Sequence, residues 1–178
     1  MRDLSGLEYL GAVVAGELPP PPMAAVMGFT GVEVGKGRAL FRGQPGEEHV
    51  NPNGAVHGSF GATLLDSALE CAVHTTLPAR VDYTTVDLNV TFVGRITPDT
   101  GPVPCEGTGG ARGADDRHDA GAADAGEGWR VLAHGTATCL ILRGEGERGR
   151  VAERGVLPAW AWLWRARGWS GRVGASGG

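Results

Sequence analysis

Between Gly58 and His74 the apolar residues recur at helical spacing: Phe60, Leu64, Ala68 and Ala72 fall every four positions, with Leu65, Leu69 and Val73 beside them. A stripe that wide predicts a buried helix over about residues 58–75. Its small residues, Gly61, Ala62, Ser67, Ala68 and Ala72, let a sheet approach closely, and Pro78 lies just past its end. Downstream, Val86, Leu88, Val90 and Phe92 alternate with Thr85, Asp87, Asn89 and Thr91. That is the period of a half-buried strand whose polar side, Thr85 included, faces outward. A last strand is expected over about Trp129 to Leu142, with Val131, Ala133, Ala137, Cys139 and Ile141 on one face.

Ahead of the central helix, Ser5-Gly6-Leu7-Glu8 fits a capping box, and Leu7, Leu10 and Val14 follow at helical spacing. The run Pro19 to Pro22 ends that helix, and from Ala24 the sequence turns β-like. Val32 and Val34, then Gly35-Lys36-Gly37, then Ala39, Leu40 and Phe41 read as a hairpin turning on glycine. Helix, hairpin, central helix and further strands together predict an α+β domain with an antiparallel sheet.

Two stretches break the pattern. From Gly109 to Gly128 the chain uses only Gly, Ala, Arg, Asp, His and Glu, with too little apolar surface to drive folding. All these residue types are encodable by codons beginning with G or C, so a shifted reading frame in GC-rich DNA is one hypothesis for its origin. From Arg143 the tail is again Gly- and Arg-rich, although it carries Trp160, Trp162, Trp164 and Trp169. The expected organisation is one domain over residues 1–142, with 109–128 an irregular insert, and a low-complexity tail over 143–178.

Composition narrows the function classes. A length of 178 residues suits one domain with a real core, and the formal charge of −4 comes with no basic stripe. Neither nucleic acid nor an anionic membrane is expected as a partner. No apolar run approaches a membrane span or a signal-peptide h-region, so a cytoplasmic protein is the expectation. Cys71, Cys105 and Cys139 show no metal-ligand spacing and read as thiols packed as small apolar groups, and no metal site is expected.

The chemistry concentrates in Asn51-Pro52-Asn53-Gly54-Ala55-Val56-His57-Gly58, which runs from a turn into the central helix, and in Asp66, a carboxylate in the middle of that helix. Together with Thr84-Thr85-Val86-Asp87-Leu88-Asn89-Val90-Thr91-Phe92, in the same order, these residues resemble the PaaI-like acyl-CoA thioesterases of the hotdog superfamily. The resemblance spans roughly Leu7 to Leu142. It departs at Ser59, where the family usually has a second glycine, and at Gly109 to Gly128, where the family has a strand of alternating apolar residues.

The resemblance implies a curved antiparallel sheet wrapped around the central helix, and a dimer or tetramer with active sites between subunits. It also implies hydrolysis of acyl-CoA without a metal or separate cofactor, coenzyme A arriving as part of the substrate. Asp66 would be general base or nucleophile, or else a carboxylate on the helix's wet side. Gly58 would offer its backbone N–H and the positive end of the helix dipole to the oxyanion, or simply make a tight turn. Asn51 would polarise the carbonyl across from an Asp of the other subunit, or serve the Asn51–Gly54 turn.

His57 either positions substrate or fixes the loop, and Thr85 either orients the attacking water or is an ordinary strand threonine. Arg95 would reach a coenzyme A phosphate, or stand solvated at a strand end. Glu70, one turn past Asp66, reads as part of a solvated stripe and is left out of the site. A non-catalytic acyl-CoA-binding or structural protein is the rival reading, favoured if the sheet is incomplete. A hydratase is disfavoured because Ser67-Ala68-Leu69-Glu70 follows Asp66 and His74 is the only nearby imidazole.

Overall fold

A computed structural model describes residues 3–110, 117–120 and 131–143, the strand 117–120 and residue 143 by backbone alone. In chain order the elements are α1 (Gly6–Val14), α2 (Pro22–Val26), β1 (Phe29–Gly35), β2 (Arg38–Gly43), α3 (Gly58–His74), β3 (Val81–Phe92), β4 (Val103–Thr108), β5 (Arg117–Ala120) and β6 (Ala133–Arg143). Short 3-10 turns cover Glu47–His49 and Pro98–Thr100.

The central helix determines the layout. Leu64, Leu65, Leu69 and Val73 of α3 are almost completely withdrawn from solvent, together with Val103 and Cys105 of β4. Two three-stranded sheets flank the helix, ordered β1-β2-β4 and β3-β6-β5. The pairs β1/β2, β2/β4 and β5/β6 are antiparallel. Helix α3 touches β1, β2 and β4 of the first sheet and β3 and β5 of the second, so strands wrap it as the α+β reading expects.

Several local expectations hold. The capping box of α1 forms, with Ser5 and Glu8 each taking the other's backbone N–H. The β1–β2 hairpin turns at Lys36 and Gly37, where φ is 75° and glycine carries no Cβ penalty. Its turn is tied to the end of α3 through the buried Thr75. The Thr75 hydroxyl accepts the Gly37 N–H at 2.7 Å and donates to Ala72 O at 2.6 Å. Thr75→Val keeps the shape but strands the Gly37 N–H, and is expected to cost about 1–3 kcal/mol. The shift in urea midpoint at unchanged slope measures it.

Other segments differ from expectation. Residues 22–26 form a short helix rather than β structure, because Pro22 at its first turn has the φ a helix needs and no N–H to satisfy. In β3, Val81, Tyr83 and Thr85 are partly buried, Val86 and Asp87 are both exposed, and Leu88 and Val90 are partly buried. The alternation therefore changes phase at Val86–Asp87. Thr85 turns inward instead of outward, Val86 stands 58% exposed instead of facing the core, and Phe92 is half-exposed with its ring against the start of α3.

Strand β6 begins at Ala133, with Ala133 and Ala137 buried and Val131 exposed ahead of it. Within 109–128, expected to lack a strand, the four-residue β5 pairs with β6 from Arg117↔Thr138 to Ala120↔Gly135. The rest of that stretch beyond Gly110, Trp129 and the tail with its tryptophans lie outside the described residues. All three cysteines are free thiols, Cys71 and Cys105 buried and Cys139 half-buried. Among the described residues no helix is long and apolar enough to cross a membrane.

Candidate active site

The entry into α3 is organised by the turn before it. Asn51 O accepts from Gly54 N–H at 2.9 Å, and Asn51 N–H donates to Ala55 O at 2.8 Å. Asn51 Oδ1 accepts the Asn53 N–H at 3.1 Å, so the side chain does serve the turn. Its NH2 group has no hydrogen-bond partner among the described residues and remains a donor. Arg95, exposed after β3, donates to Gly54 O at 3.0 Å and to Asn53 O at 3.4 Å, clamping the same turn.

His57 is the N-cap of α3: its Nδ1 accepts the Ser59 N–H at 3.0 Å and lies 2.9 Å from Ser59 Oγ. The loop-fixing reading of His57 describes this geometry, and Ser59 supplies the partner. Gly58 opens the helix, where first-turn amides have no acceptor within the helix. A Cβ on Gly58 would sit 3.1 Å from the Phe92 ring, so glycine also lets β3 close over the helix start.

Asp66 lies half-buried in the middle of α3, and its Oδ1 accepts from the Thr85 hydroxyl at 3.1 Å. Burial raises its carboxyl above the usual range, and the Thr85 hydrogen bond only partly opposes that. Glu70, set aside on sequence grounds, comes to the same hydroxyl at 3.3 Å. Burial first, then the Asp66 charge, push Glu70 up to about 7. The i, i+4 spacing was the available signal; the phase change of β3, which brings Thr85 over both carboxyls, was not readable from the alternating pattern.

Around this pair, burial raises the Tyr83 phenol, and it pushes the Cys139 thiol of β6 up to about 11. His74, another turn along α3, packs its ring 4.9 Å from Tyr83 and 5.9 Å from Tyr9. Its pKa is lowered by burial. A cavity of about 550 Å³ runs along this face, lined by Asp66, Glu70, His74, Tyr83 and Thr85 among others. It is the size of a pocket for a small organic group.

The expected site residues thus fall into two groups: Asn51, His57, Gly58 and Arg95 at the start of α3, and Asp66 with Thr85 beside the cavity. Gly58 and Asp66 are separated by eight residues of α3, a rise of about 12 Å. The two groups therefore stand well apart along the helix axis.

The fold has close parallels among solved structures. A phenylacetic acid degradation-related protein from Ralstonia eutropha is 23% identical, with TM-score 0.62 over 74% of this chain and 98% of its own. A thioesterase family protein from Silicibacter pomeroyi is 20% identical, with TM-score 0.63 over 76% of this chain and 99% of its own. This chain has the hotdog fold. Thioesterase superfamily member 2 from zebrafish extends the hotdog match, 18% identical with TM-score 0.56 over 76% of this chain and 97% of its own. No protein-family model matches the chain, and no curated protein matches it significantly.

Proposed function

We propose that this hotdog protein hydrolyses acyl-CoA thioesters to the free acid and coenzyme A, at sites built by two copies of the chain. The observation that carries the reading is Asp66: a half-buried carboxylate in mid-helix, held by Thr85 at 3.1 Å and opening on the cavity. A carboxyl raised by burial is a stronger base than one in water, which is what activating a water molecule requires.

Asp66 takes a proton from water oriented with the help of Thr85, and the oxygen attacks the thioester carbon. The electron pair moves onto the carbonyl oxygen, facing the Gly58 N–H, the α3 dipole and the Asn51 NH2 of the second copy. As the pair returns, the C–S bond breaks and the thiolate takes the proton from Asp66. His57 shapes the helix start, and Arg95 is offered to a coenzyme A phosphate. No separate cofactor is required by these steps.

Two features support the second copy. One chain separates its proposed oxyanion donors from its base, and Val86 of β3 and Val93 just after it stand exposed, apolar surface suited to burial in a dimer or tetramer. The rival reading, a non-catalytic acyl-CoA binder, rests on an incomplete sheet, and there β5 supplies a paired strand of only four residues.

Free-thiol release from short, medium and aromatic acyl-CoAs decides between them. Turnover of at least one class by the intact chain is expected. Binding without thiol release would establish the binder instead.

A further inference from the structure

The Thr85 hydroxyl lies within hydrogen-bonding distance of two carboxyl oxygens, Asp66 Oδ1 and Glu70 Oε2. It owns one hydrogen and can donate to one of them at a time. With both carboxyls ionised, the second oxygen would face a lone pair of Thr85 Oγ1 in a half-buried place, beside a like charge one helical turn away. One added proton resolves the conflict: the neutral acid donates to Thr85, and Thr85 donates to the remaining carboxylate.

We infer that Asp66 and Glu70 share a single proton across Thr85, with Glu70 holding it and serving as the positioning residue that turns the Thr85 hydrogen onto Asp66. The assignment of the proton to Glu70 follows from its deeper burial and from the Asp66 charge beside it. Among the described residues the ionisable groups around Glu70 are Asp66, Cys71 and His74 on α3, Asp82 and Tyr83 on β3, and Cys139 on β6. Burial keeps the thiols and the phenol neutral and disfavours a charged His74, so the set offers little positive charge against two carboxylates.

The catalytic consequence rests on the proposed hydrolysis; the shared proton itself does not. While Glu70 is protonated, Asp66 Oδ1 is held by Thr85 and Oδ2 is left to accept from water. When Glu70 ionises near neutral pH, two carboxylates compete for one hydrogen and Asp66 loses its fixed orientation. Glu70→Gln keeps a donor toward Thr85 at every pH.

The test titrates the full chain without substrate, following the infrared carbonyl band of a protonated carboxyl. The band should vanish with a midpoint near neutrality, be missing in Glu70→Gln, and move to lower pH in Asp66→Asn. If Glu70→Gln fails to fold, Thr85→Val should move the midpoint downward, because the one-proton state loses two hydrogen bonds through Thr85 and the ionised state only one. In turnover, kcat should fall on the alkaline side in the parent chain, and that limb should flatten in Glu70→Gln. A band with a near-neutral midpoint that survives Glu70→Gln, or none above the ordinary carboxyl range in the parent, overturns the shared proton. An unchanged alkaline limb in Glu70→Gln overturns its positioning role. Absent thiol release counts against the hydrolase reading alone, because the band is read without substrate.

Discussion

Asp66→Asn is expected to lower kcat for the best acyl-CoA by about 10²–10⁴-fold, the range for losing a positioned general base. The amide keeps the shape of the side chain, and its oxygen can still accept from Thr85, but it cannot take a proton from water. KM should stay within about threefold if the acid acts on the reacting atoms and not on the bound thioester. A folded Asp66→Asn chain with unchanged kcat would remove the mechanism.

The same substitution has a stability signature of opposite sign. Burial raises both Asp66 and Glu70, so the folded chain binds protons more tightly than the unfolded one between the ordinary carboxyl range and neutrality. Their contribution is fully present below the unfolded values and is lost as pH rises through the folded ones. Asp66→Asn should therefore melt higher than the parent near pH 8 and gain least near pH 4.

Mixing tests the division of labour between copies. Asn51→Ala chains and Asp66→Asn chains are each expected to be impaired alone. After subunit exchange at equal amounts, half of the dimers are mixed and each holds one intact site, giving about a quarter of parental activity. No recovery, with exchange verified by mass, would place both groups on one chain's site and rule out the division between copies.

Gly107→Ala is the second large effect expected, and it strikes the fold. Gly107 is buried in β4 opposite Ala39, and a Cβ there would collide with the Ala68 carbonyl and lie 2.7 Å from Leu69 N. Those atoms are helix backbone, which cannot swing aside as a side-chain end can. Overpacking commonly costs about 1–3 kcal/mol, and a backbone collision belongs at or beyond the top of that range. A loss of about 3 kcal/mol or more is a large part of a domain's stability.

Relief by moving α3 would also displace Asp66, so surviving protein should turn over slowly. Gly11→Ala is the control: nothing lies within 4 Å of its added Cβ in α1, and a gain of up to about 1 kcal/mol is expected. Equal midpoints for Gly107→Ala and the parent in urea would refute the close approach.

Helix α3 was legible because Phe60, Leu64, Ala68 and Ala72 repeat a burial pattern that no strand would produce. The β1–β2 hairpin was legible because glycine marks its turn. Strand β4 was not foreseen: Pro104, which lacks an N–H, stands inside it opposite Arg42 and argues locally against a strand. Its place is set by pairing with β2, a long-range contact that local pattern does not encode.

The candidate site divides along the same line. Asp66 and the Asn51 to Gly58 turn announce themselves as local motifs. Glu70 and Cys139 become neighbours of Thr85 only after β3 and β6 cross α3, so their partnership depends on tertiary register. For Thr85, uninterrupted alternation predicts the outward face, and the phase change at Val86–Asp87 turns it inward.

That interruption gives β3 two separable histories on one ribbon. Residues Val81, Tyr83 and Thr85 face the cavity, whereas Leu88 and Val90 pack into the core with Leu69 and its neighbours. Variation in the first half can reshape what the cavity accepts while the second half goes on holding the sheet to the helix. A strand arranged this way lets selection explore new substrates without putting the folded state at stake.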